Sequence, residues 1–284
     1  MILPPRGVVS SSLALARSGK VEGQVHSLFS RSYNIAFGRN LMNIASEEME
    51  CSSYGLKLSA GELKFQIKSL NVGDRVIWEG NRLQLFCHHG DLTEINLAEM
   101  KVLDLKLLPV TPTKERLETL ARSFESAVML EQTGLPSDKG TLEVLRSLCQ
   151  PDLSEKTFRL AFDYLIGRGQ GLTPSGDDLL LSYLMMLKLF GFPMYLENLR
   201  LEDYQDRTTL ISENYLIMLC RGYVSEYLMN FCQAAIVPNQ TKLRQTLARI
   251  KGLGATSGSD ILLGMAIGIS KITGVNLVLP LAGK

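Results

Sequence analysis

No CxxC pair occurs among the five cysteines, Cys51, Cys87, Cys149, Cys220 and Cys232. An odd number of scattered thiols suggests neither a disulfide framework nor a zinc ribbon, and they read as reduced core residues of a cytosolic protein. Excess charge of either sign is also missing: 30 basic residues stand against 29 acidic ones, for a formal net charge of +1. That balance argues against a protein built to coat nucleic acid, while leaving room for a small anion held by a few local donors. Long apolar runs are absent too. The two most hydrophobic stretches stop at Lys188 and Lys271, too soon to span a bilayer. The first twenty residues carry prolines at 4 and 5 and only the short apolar stretch Leu13–Leu15, which is no signal-peptide core. The expectation is a cytoplasmic protein with neither membrane nor nucleic acid as partner. What remains is a globular composition, 284 residues that are 45% hydrophobic and 21% charged, enough for one large domain or two ordinary ones.

Through the first hundred residues, short alternating or β-branched runs recur: Gly7–Ser10, Gln24–Phe29, Asn34–Phe37, Leu56–Leu58, Phe65–Ile67, Arg75–Trp78, Leu83–Phe86 and Leu103–Leu108. Turn signals separate them, notably Asn71-Val72-Gly73-Asp74 and the Gly80-Asn81 pair of a predicted hairpin. The spacing predicts a small barrel or sandwich. At Pro109-Val110-Thr111-Pro112 the pattern changes. Leu117, Leu120, Phe124 and Val128 then fall at helical spacing behind Thr113, with a stop near Gly134. Helices are predicted at about 141–149, 154–166, 177–190, 208–221, 223–235, 240–250 and 259–271, with Val275–Leu279 returning as a strand. The class is α+β: a β-rich domain over 1–110, followed by a mainly helical domain over 111–284.

Within the helical half one pattern occurs twice. Gly169-Gln170-Gly171-Leu172-Thr173-Pro174-Ser175-Gly176-Asp177-Asp178 and Gly252-Leu253-Gly254-Ala255-Thr256-Ser257-Gly258-Ser259-Asp260 both contain Ser-Gly-x-Asp, 82 residues apart, each followed by three large aliphatic residues and a small one. Glycine admits left-handed backbone and close approach of a ligand. Serine is a natural N-cap, and an acid in the first turn suits the helix dipole. Free N–H groups at such an end hold a phosphate or carboxylate. Capping alone also explains either copy; two copies so alike favour a ligand. The following helices, Leu179–Leu187 and Ile261–Ile269, are apolar nearly all round and therefore buried. The small residues Ser182, Gly264 and Gly268 would let them cross closely, bringing both N-termini into one pocket. A dinucleotide fingerprint is excluded because Gly167-x-Gly169-x-Gly171 follows a helix, and no Gly-Lys-Ser/Thr marks a P-loop.

On these residues the chain resembles the AllH family, the third subunit of bacterial oxamate carbamoyltransferase. The Thr173–Asp178 string carries the resemblance most specifically. Gly23-Gln24-Val25-His26-Ser27-Leu28-Phe29 is similar to the family's N-terminal strand, Arg207-Thr208-Thr209-Leu210-Ile211-Ser212 to its middle helix, and Thr256–Asp260 to its last motif. Ser182 stands where the family has glycine. The resemblance implies carbamoyl transfer between oxalurate and phosphate, giving carbamoyl phosphate and oxamate in allantoin degradation, together with two other protein subunits. Every reactant is anionic, and helix N-termini supply donors for such groups without a nucleophile or a metal.

The substrate-binding candidates are Gly169, Gly171, Thr173, Ser175, Gly176, Asp177, Asp178, Ser257, Gly258 and Asp260. His26 and Arg207 are weaker catalytic candidates, and Arg168 joins Arg207 as a cation for a carboxylate fork; a structural histidine and solvated arginines are the plain alternatives. Cys87-His88-His89 offers metal-ligand types, but neighbours in one turn rarely converge on an ion. Asp177 and Asp178 could bridge a Mg²⁺ to phosphate, although capping accounts for them already. No cofactor is expected. Three functions compete: a carbamoyltransferase subunit that binds substrate at the loops, a non-catalytic scaffold subunit, and a stand-alone small-anion- or acyl-binding protein.

Overall fold

The computed structural model describes residues 7–14, 19–124, 130–193, 195, 200–236 and 239–277. The class is α+β, and the chain divides into two compact units: Met1–Lys106 with Tyr223–Glu226, and Leu107–Gly222 with Tyr227–Lys284.

The first unit comprises β1 (Gly7–Ser10), α1 (Ser11–Ala14), β2 (Val21–Leu28), β3 (Ser32–Phe37), β4 (Asn40–Ser46), β5 (Gly55–Leu58), α2 (Ala60–Ser69), β6 (Arg75–Glu79), β7 (Arg82–Phe86), β8 (Leu92–Asn96) and β9 (Lys101–Leu103). They form one curled nine-stranded sheet in the order β8-β7-β6-β2-β3-β4-β5-β1-β9. Local pairings are antiparallel; β4–β5 and β1–β9 are parallel. The core follows from alternation: Val25, Tyr33, Ile35, Ile44, Leu56, Val76, Leu83 and Leu85 are wholly buried. The β6–β7 hairpin turns at Gly80, whose φ of 56° suits the pair of tight-turn residues expected there.

Three predicted strands need correction. Phe65–Ile67 lies in α2, which begins at the N-cap Ser59, whose hydroxyl accepts the Glu62 N–H at 3.3 Å. Of Leu103–Leu108 only the first residue belongs to β9. Residues 275–277 follow α10 as coil, and 278–279 lie outside the described residues.

The second unit contains α3 (Lys114–Phe124), α4 (Lys139–Leu148), α5 (Glu155–Leu165), α6 (Ser175–Leu189), α7 (Leu210–Cys220), α8 (from Glu226 to Ile236), α9 (Gln240–Lys251) and α10 (Ser257–Thr273). Side chains cap several starts: Asp138 accepts from Thr141 N–H at 2.7 Å, and Ser154, Thr209 and Asn239 do the same for α5, α7 and α9. Helices α6 and α10 form the centre, buried on every side, because apolar residues run round both. Leu179, Leu180, Leu184 and Leu187 have no exposed surface, and each stabilises the unit by about 1.5–3 kcal/mol relative to an exposed leucine. Among the described residues no helix is long and apolar enough to cross a membrane.

Candidate functional site

The first loop joins α5 to α6. Gly167 turns the chain with φ 72°, and a Cβ there would collide with the Arg207 carbonyl, so only glycine fits. Its N–H donates to Asp177 Oδ1 at 2.6 Å, and the Thr208 hydroxyl donates to Asp177 Oδ2. Thr209, which caps α7, gives its own hydroxyl to the Leu172 carbonyl at 2.6 Å. The Arg207–Ser212 stretch thus ties the loop down from the start of α7. Thr173 Oγ1 donates to Asp178 Oδ2 at 3.1 Å.

The second loop joins α9 to α10 and repeats the construction. Gly254 has φ 57°, and Gly258 N–H donates to the Leu253 carbonyl at 2.9 Å, as Gly176 N–H donates to the Arg168 carbonyl at 2.8 Å in the first loop. Asp260 Oδ1 accepts the Gly134 N–H at 3.0 Å, while Oδ2 is buried without a partner.

The two loops meet. A Cβ on Gly264 would collide with the Leu179 carbonyl and the Ser182 hydroxyl, and one on Gly268 would lie 2.7 Å from Met186 Cβ and 3.5 Å from the Tyr183 carbonyl. The contacts advance together along both chains, so α6 and α10 run in the same direction with Ser182 opposite Gly264. Ser182 is accommodated because its hydroxyl turns back to the Asp178 and Leu179 carbonyls, at 2.9 and 3.1 Å. Side by side, the helix starts exchange side chains. The Ser257 hydroxyl is directed at the Asp178 carboxyl, and the Ser175 hydroxyl at Asp260. Gly134 fits between them, since a Cβ there would strike Ser175 Oγ and lie 3.1 Å from Thr256 Oγ1.

One expectation changes with this geometry. Ser175 and Ser257 are not N-caps: Pro174 and Thr256 occupy those positions without side-chain capping bonds, and the serines serve the opposite loop. Gly176 and Gly258, moreover, have a packing reason to be glycine. Neither has positive φ, their N–H groups are taken up, and a Cβ would collide with the Leu165 carbonyl or with the Ile250 and Lys251 carbonyls. They let each helix start press against the end of the helix before it. Gly169 (φ 118°) and Gly171 (φ 94°) do need the left-handed region.

Burial dominates the electrostatics. Asp178, 5% exposed, has its pKa pushed up to about 7 by desolvation; Ser257 and Thr173 pull it down, and the charges of Asp260 and Asp177 push it further up. Asp177 and Asp260 are raised by burial and held back chiefly by the N–H groups of Gly167 and Gly134.

Two family models match this chain: oxamate carbamoyltransferase subunit AllH over residues 165–269, and the AllH family N-terminal domain over residues 8–101. The first spans both loops and the second spans the sheet. The chain belongs to the AllH family. The description as a subunit points to a multi-subunit enzyme. No solved structure matches the chain.

The other candidate side chains of this AllH-family chain make contacts of their own. Arg168 donates from Nε to the Tyr164 carbonyl at 2.9 Å and stacks 3.8 Å over that ring. Arg207 pairs with Asp163 at 3.4 Å. Both side chains contact α5. His26 is exposed on β2, in the first unit, against Ser27 Oγ at 3.2 Å. The His88 and His89 rings lie 3.6 Å apart, tilted by 46°, and among the described residues no group of three His, Cys, Asp or Glu side chains is placed to hold a metal. Gly134 and Thr256 were not singled out by sequence reasoning: Gly134 reads there as a helix stop and Thr256 only as part of a motif.

Proposed function

We propose that this chain is the subunit of an oxamate carbamoyltransferase that holds a small anionic substrate at the two facing loops, with Asp178 as the group that moves the proton. The observation that carries this is the exchange across the loops: a carboxyl with a pKa of about 7 lies between Thr173 and Ser257, both half-exposed, at the starts of two parallel helices. The transfer needs such a group. A phosphate oxygen adds to the carbamoyl carbon of oxalurate, and the bond from that carbon to the oxamate nitrogen breaks. The leaving nitrogen requires a proton, and the hydroxyl of HPO₄²⁻ has one to lose. One carboxyl that titrates near neutrality can give the first and take up the second. The protonated form also removes a like charge from beside the bound anion, and the two helix N-termini favour that anion. Two further subunits complete the enzyme in this reading.

A second reading has its own observation. The Gly176 and Gly258 N–H groups already donate to carbonyls, which suits loops that act only as a clasp in a scaffold subunit. Calorimetric titration of the assembled complex with oxamate and with carbamoyl phosphate separates the two. Binding by the parent that weakens tenfold or more in Ser257→Ala supports the site. Equal binding by parent and variant leaves the clasp.

A further inference from the structure

A second place in the helical unit gathers positive charge. Arg122 on α3, with Arg244 and Lys251 on α9, lines a cleft of about 450 Å³ whose other walls are Ser123, Leu247, Ala248 and Leu262. Among the described residues no acidic side chain lines it. The helical repeat explains the convergence: 244, 248 and 251 recur at four and three residues along one face of α9. The three cations are exposed at the rim, whereas Ser123, Leu247 and Leu262 are buried and form the floor. The Ser123 hydroxyl is held by the Thr119 carbonyl at 2.8 Å, and Arg122 Nε by the Glu118 carbonyl at 3.2 Å. The nearest acid along α3, Glu118, is paired with Lys114 at 3.9 Å.

The same bias extends along the sequence around α9. From Tyr227 to Lys284 there are six lysines and arginines and a single acid, Asp260, in a chain whose overall charge is only +1. Asp260 is buried and faces the loops, so it does not neutralise the cleft. A concave site lined by one sign of charge over a low-dielectric floor concentrates the opposite charge. Arginine at two of the three positions offers a planar guanidinium whose forked N–H donors suit bidentate contact with the oxygens of a phosphate or carboxylate. The volume is that of a ligand pocket for a molecule larger than a bare ion.

We propose that this cleft binds a small phosphate-bearing molecule with at least two negative charges, such as a nucleotide or pyrophosphate. The site is separate from the loop carboxyls and does not depend on the function proposed for them. Titration calorimetry of the full chain with ATP and with pyrophosphate tests it. Arg244→Glu and Lys251→Glu should each weaken binding at least tenfold. Arg249→Glu, on the same helix but outside the cleft, should leave binding within twofold. Circular dichroism checks that each variant is folded. Tighter ATP than pyrophosphate assigns the apolar floor to a nucleoside; equal affinity assigns the site to the phosphates alone, and both support the cleft. No binding of either probe at millimolar concentration overturns the proposal. So does an equal loss in Arg249→Glu and Arg244→Glu, which would mean diffuse attraction to a basic helix.

Discussion

Asp178 keeps its proton to a higher pH than an exposed carboxyl because burial penalises the anion more than Thr173 and Ser257 stabilise it. An unfolded aspartate titrates near pH 4, roughly three units lower. Between about pH 4 and pH 7 the folded chain therefore binds more protons than the unfolded one. Its unfolding free energy should fall as pH rises through that window and level off above it, by a few kcal/mol for this group. Asp177 and Asp260 are raised in the same direction and add to the slope. Asp178→Asn should flatten the decline without abolishing it, as denaturant titrations at pH 5 and pH 8 would show. An unchanged slope would mean that Asp178 does not titrate there. Gly176 makes a second residue-scale case. Its replacement by alanine should destabilise the chain by about 2 kcal/mol or more, despite alanine's better helix propensity, since the new methyl meets the Leu165 carbonyl. Thermal unfolding reads this directly; a variant as stable as the parent would contradict the packing account.

For elements, the pair α6–α10 decides the site. Gly264→Val should separate the helix starts, costing about 2–4 kcal/mol and weakening the contact of Ser257 with Asp178. A crystal structure of the variant with the loops still in register would contradict that. Much of this pairing is legible in the sequence. Apolar residues all round both helices predict burial, and Ser182, Gly264 and Gly268 mark the crossing points. The direction of each serine is not legible, because an N-cap and a side chain aimed at another helix share the same Ser-Gly-x-Asp spelling. The sheet shows a similar limit. Phe65–Ile67 are β-formers by composition, yet Ser59 and Glu62 spell a helix start three residues apart, and that signal outweighs them. Strand β4 escapes notice because Asn40 and Asn43 disfavour a strand. The fold accepts Asn43 by pairing its Nδ2 with Asn34 Oδ1 at 2.9 Å. Strand β1 pairs with β5 and β9, partners some fifty and ninety residues away, and no local pattern encodes such a register.

At the scale of the whole molecule, the first unit includes four residues, Tyr223–Glu226, that arrive from beyond the middle of the chain. Val224 N–H donates to the Leu105 carbonyl at 3.1 Å, and Glu226 accepts from Lys57 Nζ at 2.8 Å and from Cys51 N–H at 2.7 Å. That ion pair is largely buried, so Lys57→Met should leave the Glu226 carboxylate short of a partner and destabilise the first unit by about 3 kcal/mol, measurable by denaturant titration. A chain that belongs to a family of enzyme subunits is expected to act with partners. Alone it should transfer little carbamoyl group, and activity should appear on mixing with its partner subunits.

The central claim is that Asp178 moves the proton in that transfer. The most direct measurement is the steady-state rate of oxalurate and phosphate turnover by the reconstituted complex, from pH 5 to pH 9, for the parent and for Asp178→Asn. The account predicts a parent profile with an inflection near pH 7, and a variant that assembles normally but turns over about 100-fold or more slowly without that inflection. A variant that keeps the parent's rate and pH profile would contradict it.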